Sequence, residues 1–158
     1  MNKITATTLA SVAKETKVGL VHSRFNTAIV DKMVQSCYTQ LVALGVREAD
    51  IDVVTVPGAL EIPLALQTLA ITRRYDALIA IGCVVRGETY HFEVVSNESC
   101  RGVSEVSLLT GTPIANGILT VNSDEEALAR VAEKGADCAN VAIEMANLMM
   151  QLANKSQA

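Results

Sequence analysis

The segment from Gly82 to Glu93, Gly-Cys-Val-Val-Arg-Gly-Glu-Thr-Tyr-His-Phe-Glu, passes from an apolar run into a small polar loop that contains a histidine. His91 has the components of an acid/base site close to it in the sequence: a glycine, a hydroxyl, an arginine and two carboxylates. An imidazole titrates near neutral pH, so it is a common choice for moving protons in catalysis. The alternative is a surface histidine in the first turn of a helix. The segment predicts a proton-transfer site with His91 as its catalytic candidate.

The composition bounds the class of protein. The 158 residues are 50% apolar and 19% charged, which indicates one folded domain over residues 1–158 that contacts other subunits. The net charge is −4 and no basic run occurs, so nucleic acid is not an expected partner. No secretory pattern and no membrane-length apolar run is present, which predicts a cytoplasmic protein with no membrane partner. Four dispersed cysteines predict buried free thiols and no metal site.

Four short apolar runs alternate with helical patterns along the chain. The predicted strands are residues 17–22, 51–56, 77–84 and 114–119. The predicted helices run from an Asn26 cap to Gly45, over 59–74, over 88–110 with an ambiguous start, and from a Ser123–Glu126 capping box past Gly135 toward Leu152. The apolar residues expected on one face of the first helix are Ile29, Val30, Met33, Val34, Cys37 and Leu41. Alternation of this kind is typical of a parallel sheet with helices on both faces. The sequence predicts a single-domain, three-layer α/β/α fold whose four parallel strands have the flavodoxin-like order 2-1-3-4.

In such a sheet, ligands bind beyond the carboxyl ends of the strands, where the strand order switches. The loops after the first three strands, 23–26, 57–61 and 85–91, meet at that edge. The chain has only three tyrosines and two phenylalanines, and Phe25, Tyr90 and Phe92 all lie at or beside it. Aromatic side chains on loops indicate a ligand with a flat ring that stacks on them. For Phe25 alone, the alternative is a hydrophobic staple before the Asn26 cap.

Several groups near this edge could bind an anion. They are Arg86, Gly87, Thr89, the backbone at a helix start, and Arg130 with Lys134 on one face of the last helix. The alternative for the last pair is an ordinary solvated helix face. Glu61 could accept hydrogen bonds from hydroxyls, or it could be a first-turn carboxylate favoured by the helix dipole. Dinucleotide, Walker-type and nucleophile-elbow motifs are absent from the sequence.

Four motifs make the chain resemble the lumazine synthase family from Val18 to Leu148. They are Arg24-Phe25-Asn26, Val56-Pro57-Gly58-Ala59-Leu60-Glu61-Ile62-Pro63, Arg86-Gly87-Glu88-Thr89-Tyr90-His91-Phe92-Glu93, and Gly117-Ile118-Leu119-Thr120. The resemblance implies an enzyme of riboflavin biosynthesis. Such an enzyme condenses 5-amino-6-(ribitylamino)uracil with 3,4-dihydroxy-2-butanone 4-phosphate and releases phosphate and water. No metal or organic cofactor is implied.

The resemblance also implies roles for individual positions. The positions implied for the first substrate are Phe25 and Asn26 at the pyrimidine, Ala59 and Glu61 at the ribityl chain, and the backbone of Val84 and Val85 along the heterocycle. The positions implied for the phosphate are Gly87, Glu88 and Thr89, with Arg130 and Lys134; in the family, the neighbouring subunit contributes the arginine. His91 matches the proton-transfer histidine.

Two positions depart from the family pattern. Asn116 stands where many relatives have an aromatic residue, so we expect the neighbour's stacking wall over the pyrimidine to be replaced by hydrogen bonding. Glu88 lies in the phosphate turn, where a carboxylate would repel the anion, so we expect it to point away, toward Arg86.

The family assembles as pentamers with active sites between subunits. Residues 1–15 are the expected N-terminal arm, which can add a strand to a neighbouring subunit. Shell-forming members carry a longer connector than the five residues between Arg130 and Ala136, so we predict a pentamer or two pentamers. Competing functions are a non-catalytic flavin- or pterin-binding module and an inactive assembly protein. The former would not need His91, and the latter would have lost the site residues.

Overall fold

One four-stranded parallel sheet lies at the centre of the computed structural model, which describes Ile4 and residues 13–155. The strands are β1 (Val18–Ser23), β2 (Ile51–Val56), β3 (Ala77–Val85) and β4 (Ile114–Val121). Their order is β2-β1-β3-β4, and every neighbouring pair is parallel. The predicted strand order is therefore confirmed. Most of the expected N-terminal arm lies outside the described residues.

Helices cover both faces of the sheet in the described part of the chain. The α-helices are α1 (Thr27–Leu44), α2 (Ile62–Ile71), α3 (His91–Thr110), α4 (Asp124–Leu128) and α5 (Val131–Lys155). Helices α1 and α5 bury one face, and α2 and α3 bury the other, so two separate apolar cores flank the sheet. This is the predicted α/β/α arrangement. Strand β3 is buried along most of its length because both cores pack against it.

Helix α1 buries the apolar stripe predicted for the first helix except for Val34, which is half-buried. Its buried residues are Ile29, Val30, Met33, Cys37 and Leu41. Gly45 ends the helix with a positive φ of 106°, a conformation that glycine adopts without a Cβ clash. The predicted helix end is confirmed.

Two other helix boundaries differ from the prediction, and the structure settles the start of the third helix. Helix α2 ends at Ile71 because Arg73 has a left-handed φ of 57°, which a continuing helix does not tolerate. Helix α3, whose start the sequence leaves ambiguous, begins at His91. The last helical region is divided by a turn at Ala129 and Arg130, so Arg130 and Lys134 do not share one helix as predicted.

The predicted capping box lies at the start of α4, although its second bond is displaced. The Ser123 hydroxyl accepts the Glu126 N–H at 3.2 Å. The Glu126 carboxylate accepts the N–H of Asn122, one residue before the cap, at 2.9 Å. Two orphan donors at the helix start are satisfied in this way.

Helices α1 and α5 approach each other closely through a glycine. A Cβ built on Gly135 would lie 2.5 Å from the Met33 carbonyl oxygen and 3.0 Å from the Cys37 nitrogen. Beside this contact, the Ser36 hydroxyl donates a 2.6 Å hydrogen bond to the Ala132 carbonyl. Backbone therefore packs on backbone here, and this contact fixes the position of α5 against α1.

Two features are absent from residues 4 and 13–155. No helix there has the length and apolar character needed to cross a membrane. In the same residues, no group of three or more histidine, cysteine or acidic side chains is arranged to hold a metal ion.

Candidate functional site

At the carboxyl edge of the sheet, the loop after β1 is hydrogen-bonded both to the loop after β2 and to strand β3. The Phe25 N–H donates to the Pro57 carbonyl at 3.1 Å, which ties the first loop to the second. The Asn26 side-chain amide donates to the Cys83 carbonyl at 2.8 Å, which ties the first loop to β3. The crevice predicted at the switch in strand order thus has walls that are hydrogen-bonded to one another.

Asn26 has a different role from the predicted helix cap. It occupies the N-cap position of α1, but its side chain makes no capping hydrogen bond. Its φ of 59° is left-handed, a conformation that asparagine tolerates better than most residues. Because its amide nitrogen is used on Cys83, the side-chain oxygen is left as the group that could accept a bond from a ligand.

The Phe25 ring stands at the mouth of the crevice. It is 66% exposed, so it is not buried as a hydrophobic staple would be. A Cβ on Gly58 would lie 2.7 Å from the ring, so glycine at position 58 is what allows the ring to lie against the second loop. A largely exposed aromatic ring beside a crevice is available for stacking.

Glu61 fits both of its sequence interpretations. One carboxylate oxygen accepts the Gly58 N–H at 2.7 Å, as expected for an acidic group at the start of a helix. The other oxygen has acceptor capacity left, and the side chain is exposed. Ala59, only 6% exposed, lies between these two residues and packs into the core below.

A short polar turn follows β3 after the half-buried Val84 and Val85. Gly87, Glu88 and Thr89 are all exposed, and a Cβ on Gly87 would meet no protein atom within 4 Å. The Thr89 hydroxyl lies 3.4 Å from the backbone nitrogen of His91, which donates to it. His91 is itself exposed, as the first residue of α3. This turn leaves its backbone at Gly87 and the Thr89 hydroxyl open to solvent, and the exposed His91 follows it directly.

Arg86 does not pair with Glu88, so that expectation is wrong. Its guanidinium binds the Glu93 carboxylate at 2.5 Å and the Asn122 side-chain oxygen at 3.0 Å. It also lies 4.2 Å from the centre of the Phe92 ring. The hydrogen bond from Arg86 lowers the pKa of Glu93. The sequence analysis placed Arg86 among the possible anion ligands and did not identify Asn122 as its partner. The two residues are far apart in the sequence, so no motif spacing indicates that they are in contact.

Three predicted site residues, Asn116, Arg130 and Lys134, lie away from the crevice of their own chain. Asn116 pairs in register with Ala80, whereas Val84 pairs with Thr120, so Asn116 is about 13 Å from that level of the sheet. Its side-chain oxygen accepts the Ile118 N–H at 3.0 Å. Asn116 and Lys134 line one groove of about 300 Å³ between β4 and α5.

Arg130 lies in the exposed turn before α5. One of its guanidinium nitrogens donates to the Glu126 carbonyl at 2.6 Å, and the Lys134 N–H donates to the Arg130 carbonyl at 2.9 Å. Among the hydrogen bonds and ion pairs found in the described ranges, none joins Arg130, Lys134 or Asn116 to the crevice side chains. The chain therefore collects the predicted residues into two groups. One lies at the crevice, and the other lies on β4 and the segment that follows it.

Sequence comparisons identify related proteins along nearly the whole chain. A profile of the family described as 6,7-dimethyl-8-ribityllumazine synthase matches residues 15–150. The 6,7-dimethyl-8-ribityllumazine synthase of Methylibium petroleiphilum is 55% identical over 141 residues, which cover 89% of this chain and 88% of the relative. The synthase of Paracidovorax citrulli is 58% identical over 135 residues, covering 85% and 88%. That of Nitrosomonas europaea is 56% identical over 140 residues, covering 89% and 85%.

Proposed function

Because the chain belongs to the 6,7-dimethyl-8-ribityllumazine synthase family, transferases of riboflavin biosynthesis, we propose that it condenses 5-amino-6-(ribitylamino)uracil with 3,4-dihydroxy-2-butanone 4-phosphate. Phosphate and water are released. The observation that carries this proposal is the hydrogen-bonded junction of the first two loops with strand β3, at the sheet edge where the turn leading to His91 also begins. Such an edge can hold two small molecules in register, which is most of what the reaction requires.

The proposed pyrimidine subsite is formed by the first two loops. The exposed Phe25 ring stacks on the heterocycle, and the free oxygen of Asn26 accepts a hydrogen bond from it. The backbone of Val84 and Val85 lines the far side. The unoccupied oxygen of Glu61, beside Ala59, accepts hydrogen bonds from the ribityl hydroxyls.

The proposed phosphate subsite is the turn after β3. Open space at Gly87 leaves the backbone approachable, and Thr89 can donate its hydroxyl proton while its oxygen accepts from His91. Glu88 adds its backbone to this turn, with its carboxylate in solvent. His91 moves the protons that amine–ketone condensation, phosphate loss and ring closure require.

Completion of the site by a second subunit is part of the proposal. Asn116, Arg130 and Lys134 lie apart from the crevice of their own chain, which suits residues that serve the crevice of a neighbour. Arg130 keeps guanidinium donors free for a phosphate, and Lys134 is exposed close by. The Asn116 side-chain oxygen is bound to the Ile118 N–H, whereas its amide nitrogen donates no hydrogen bond within residues 13–155. We propose a cytoplasmic pentamer, or two pentamers.

Incubating the purified protein with both substrates tests the activity. The expected result is the appearance of a fluorescent lumazine together with stoichiometric inorganic phosphate. Omission of either substrate is the control. A protein that binds the pyrimidine or riboflavin but makes no product would instead be the non-catalytic binding module.

Sedimentation velocity tests the assembly. Five or ten subunits are expected, because the connector after Arg130 is short. A dominant species near sixty subunits would contradict the connector argument. An active monomer would contradict the shared site.

A further inference from the structure

Arg86 makes three side-chain contacts that join separate parts of the crevice rim. Its Nη1 donates to the Glu93 carboxylate at 2.5 Å and its Nε donates to the Asn122 oxygen at 3.0 Å. The guanidinium lies over the Phe92 ring. Its backbone N–H also donates to the Val121 carbonyl, at 2.9 Å. Both the backbone and the side chain of Arg86 therefore hold the end of β3 against the end of β4.

These contacts use two of the three guanidinium nitrogens, so the protein itself fixes where the group lies and only Nη2 has no partner among the described residues. Its planar group is fixed on two sides by oxygen acceptors and on one face by a ring. An incoming phosphate would have to compete with the carboxylate of Glu93.

The same contacts fix the two segments that the proposed reaction needs. Glu93 is in the first turn of α3, two residues after His91, so its bond to Arg86 holds that turn. Asn122 begins the loop to α4, where its N–H binds the Glu126 carboxylate at 2.9 Å. The Glu126 carbonyl in turn accepts from Arg130.

We propose that Arg86 is a positioning residue that acts through Glu93 and Asn122 to hold the phosphate turn and His91 in place, and that it does not bind the phosphate. The proposal rests on the proposed synthase function. A misplacement of a catalytic group by about 1 Å can lower the rate by about 10²-fold. Loss of the bond between Arg86 and Glu93 can therefore lower turnover while the fold is kept.

A double-mutant cycle on Arg86 and Glu93 tests the proposal. Arg86→Ala and Glu93→Ala should each lower kcat by about tenfold or more, and the double variant should be no worse than either single variant. Arg86→Lys should recover only part of kcat, because an ammonium lacks the fork that reaches both acceptors. The matched control is Arg101→Ala, which breaks exposed bonds to Glu98 and Glu105 elsewhere on α3 and should leave kcat unchanged.

If Arg86 were instead a phosphate ligand, Arg86→Ala would raise KM for the phosphorylated substrate. Glu93→Ala would then free the guanidinium and lower that KM. Opposite effects of this kind, or additive losses in kcat, would overturn the proposal.

Amide hydrogen exchange supplies a measurement that needs no activity. Exchange of residues 87–93 should accelerate equally in Arg86→Ala and Glu93→Ala, and not in Arg101→Ala. Unchanged exchange in the first two variants would overturn the proposal. A wild-type protein without synthase activity would refute the proposed function, and the exchange result would still decide whether Arg86 holds the turn.

Discussion

The side chain of Asn26 holds the backbone of Cys83, so the residue after Phe25 fastens the β1 loop to the neighbouring strand β3. This bond places an exposed aromatic ring on a rigid support. It also explains why Asn26, at the N-cap position of α1, makes no capping hydrogen bond with its side chain.

Asn26→Ala should lower the free energy of unfolding by about 1–3 kcal/mol. The change removes the bond to Cys83, worth about 0.5–1.5 kcal/mol, and places alanine at a positive φ. Asn26→Gly should lose less, because glycine accepts that φ. Urea denaturation measures all variants, and equal losses for alanine and glycine would show that the backbone conformation is not strained.

His91→Ala should lower turnover by about one to three orders of magnitude and leave both KM values nearly unchanged. Steady-state kinetics with each substrate varied in turn provides the measurement. Undiminished turnover would exclude the proton-transfer role.

Arg130→Ala should raise KM for the phosphorylated substrate by about tenfold or more, because the guanidinium fork suits an anion. Arg130→Lys keeps the charge and should recover part of the affinity. A raised KM for the pyrimidine, with no change for the phosphorylated substrate, would assign Arg130 to the other subsite.

Gly135→Ala should lower the free energy of unfolding by about 1–3 kcal/mol, because the new methyl would meet the Met33 backbone at 2.5 Å. Alanine recovers only about 0.5–1 kcal/mol of helix propensity, so the clash prevails. Gly87→Ala is the control for folding, since open space surrounds that position. Thermal or urea unfolding measures the stability of both variants. Equal stability of Gly135→Ala and Gly87→Ala would contradict the close approach of α5 to α1.

The buried thiols should make stability fall at high pH. Burial raises the pKa of Cys37 to about 12 and those of Cys83 and Cys138 to about 11, above the ordinary 9.0. The stability that these buried thiols contribute is complete at pH values well below 9, where the thiols are protonated in both the folded and the unfolded chain. It is lost as the pH rises toward 12, because the thiols of the unfolded chain ionise first. Urea unfolding at several pH values provides the measurement, and Cys37→Ala should weaken the dependence.

Much of the fold could be predicted because each strand and helix has a local signal. The apolar stripe of α1 and the stop at Gly45 are confirmed, as are the parallel sheet and its order. The break at Ala129 and Arg130 was missed, since no glycine or proline marks it. The predicted buried thiols are confirmed at Cys37, Cys83 and Cys138, whereas Cys100 is only half-buried.

The site was harder to predict, because residue types indicate chemistry but not hydrogen-bond partners. The strand order predicts that the three loops lie at one edge of the sheet, so Phe25 and Glu61 could be placed at that edge from the sequence. The partners of Asn26 and Arg86 depend on side chains that cross from one loop to another strand or helix. A helix-cap asparagine and an anion-binding arginine were reasonable local interpretations, and tertiary contacts overrode both.

The backbone contact at Gly135 has a bearing on how the chain could vary. Because Met33 and Ser36 fix the start of α5, extra residues inserted at the turn around Arg130 would extend into solvent without shifting the helix register. Such insertions are tolerated at a modest entropic cost. Connector length can therefore alter how far Arg130 reaches toward a neighbouring chain while the two cores stay unchanged. Sequence changes in the connector can thus alter the geometry of assembly without altering the stability of the domain.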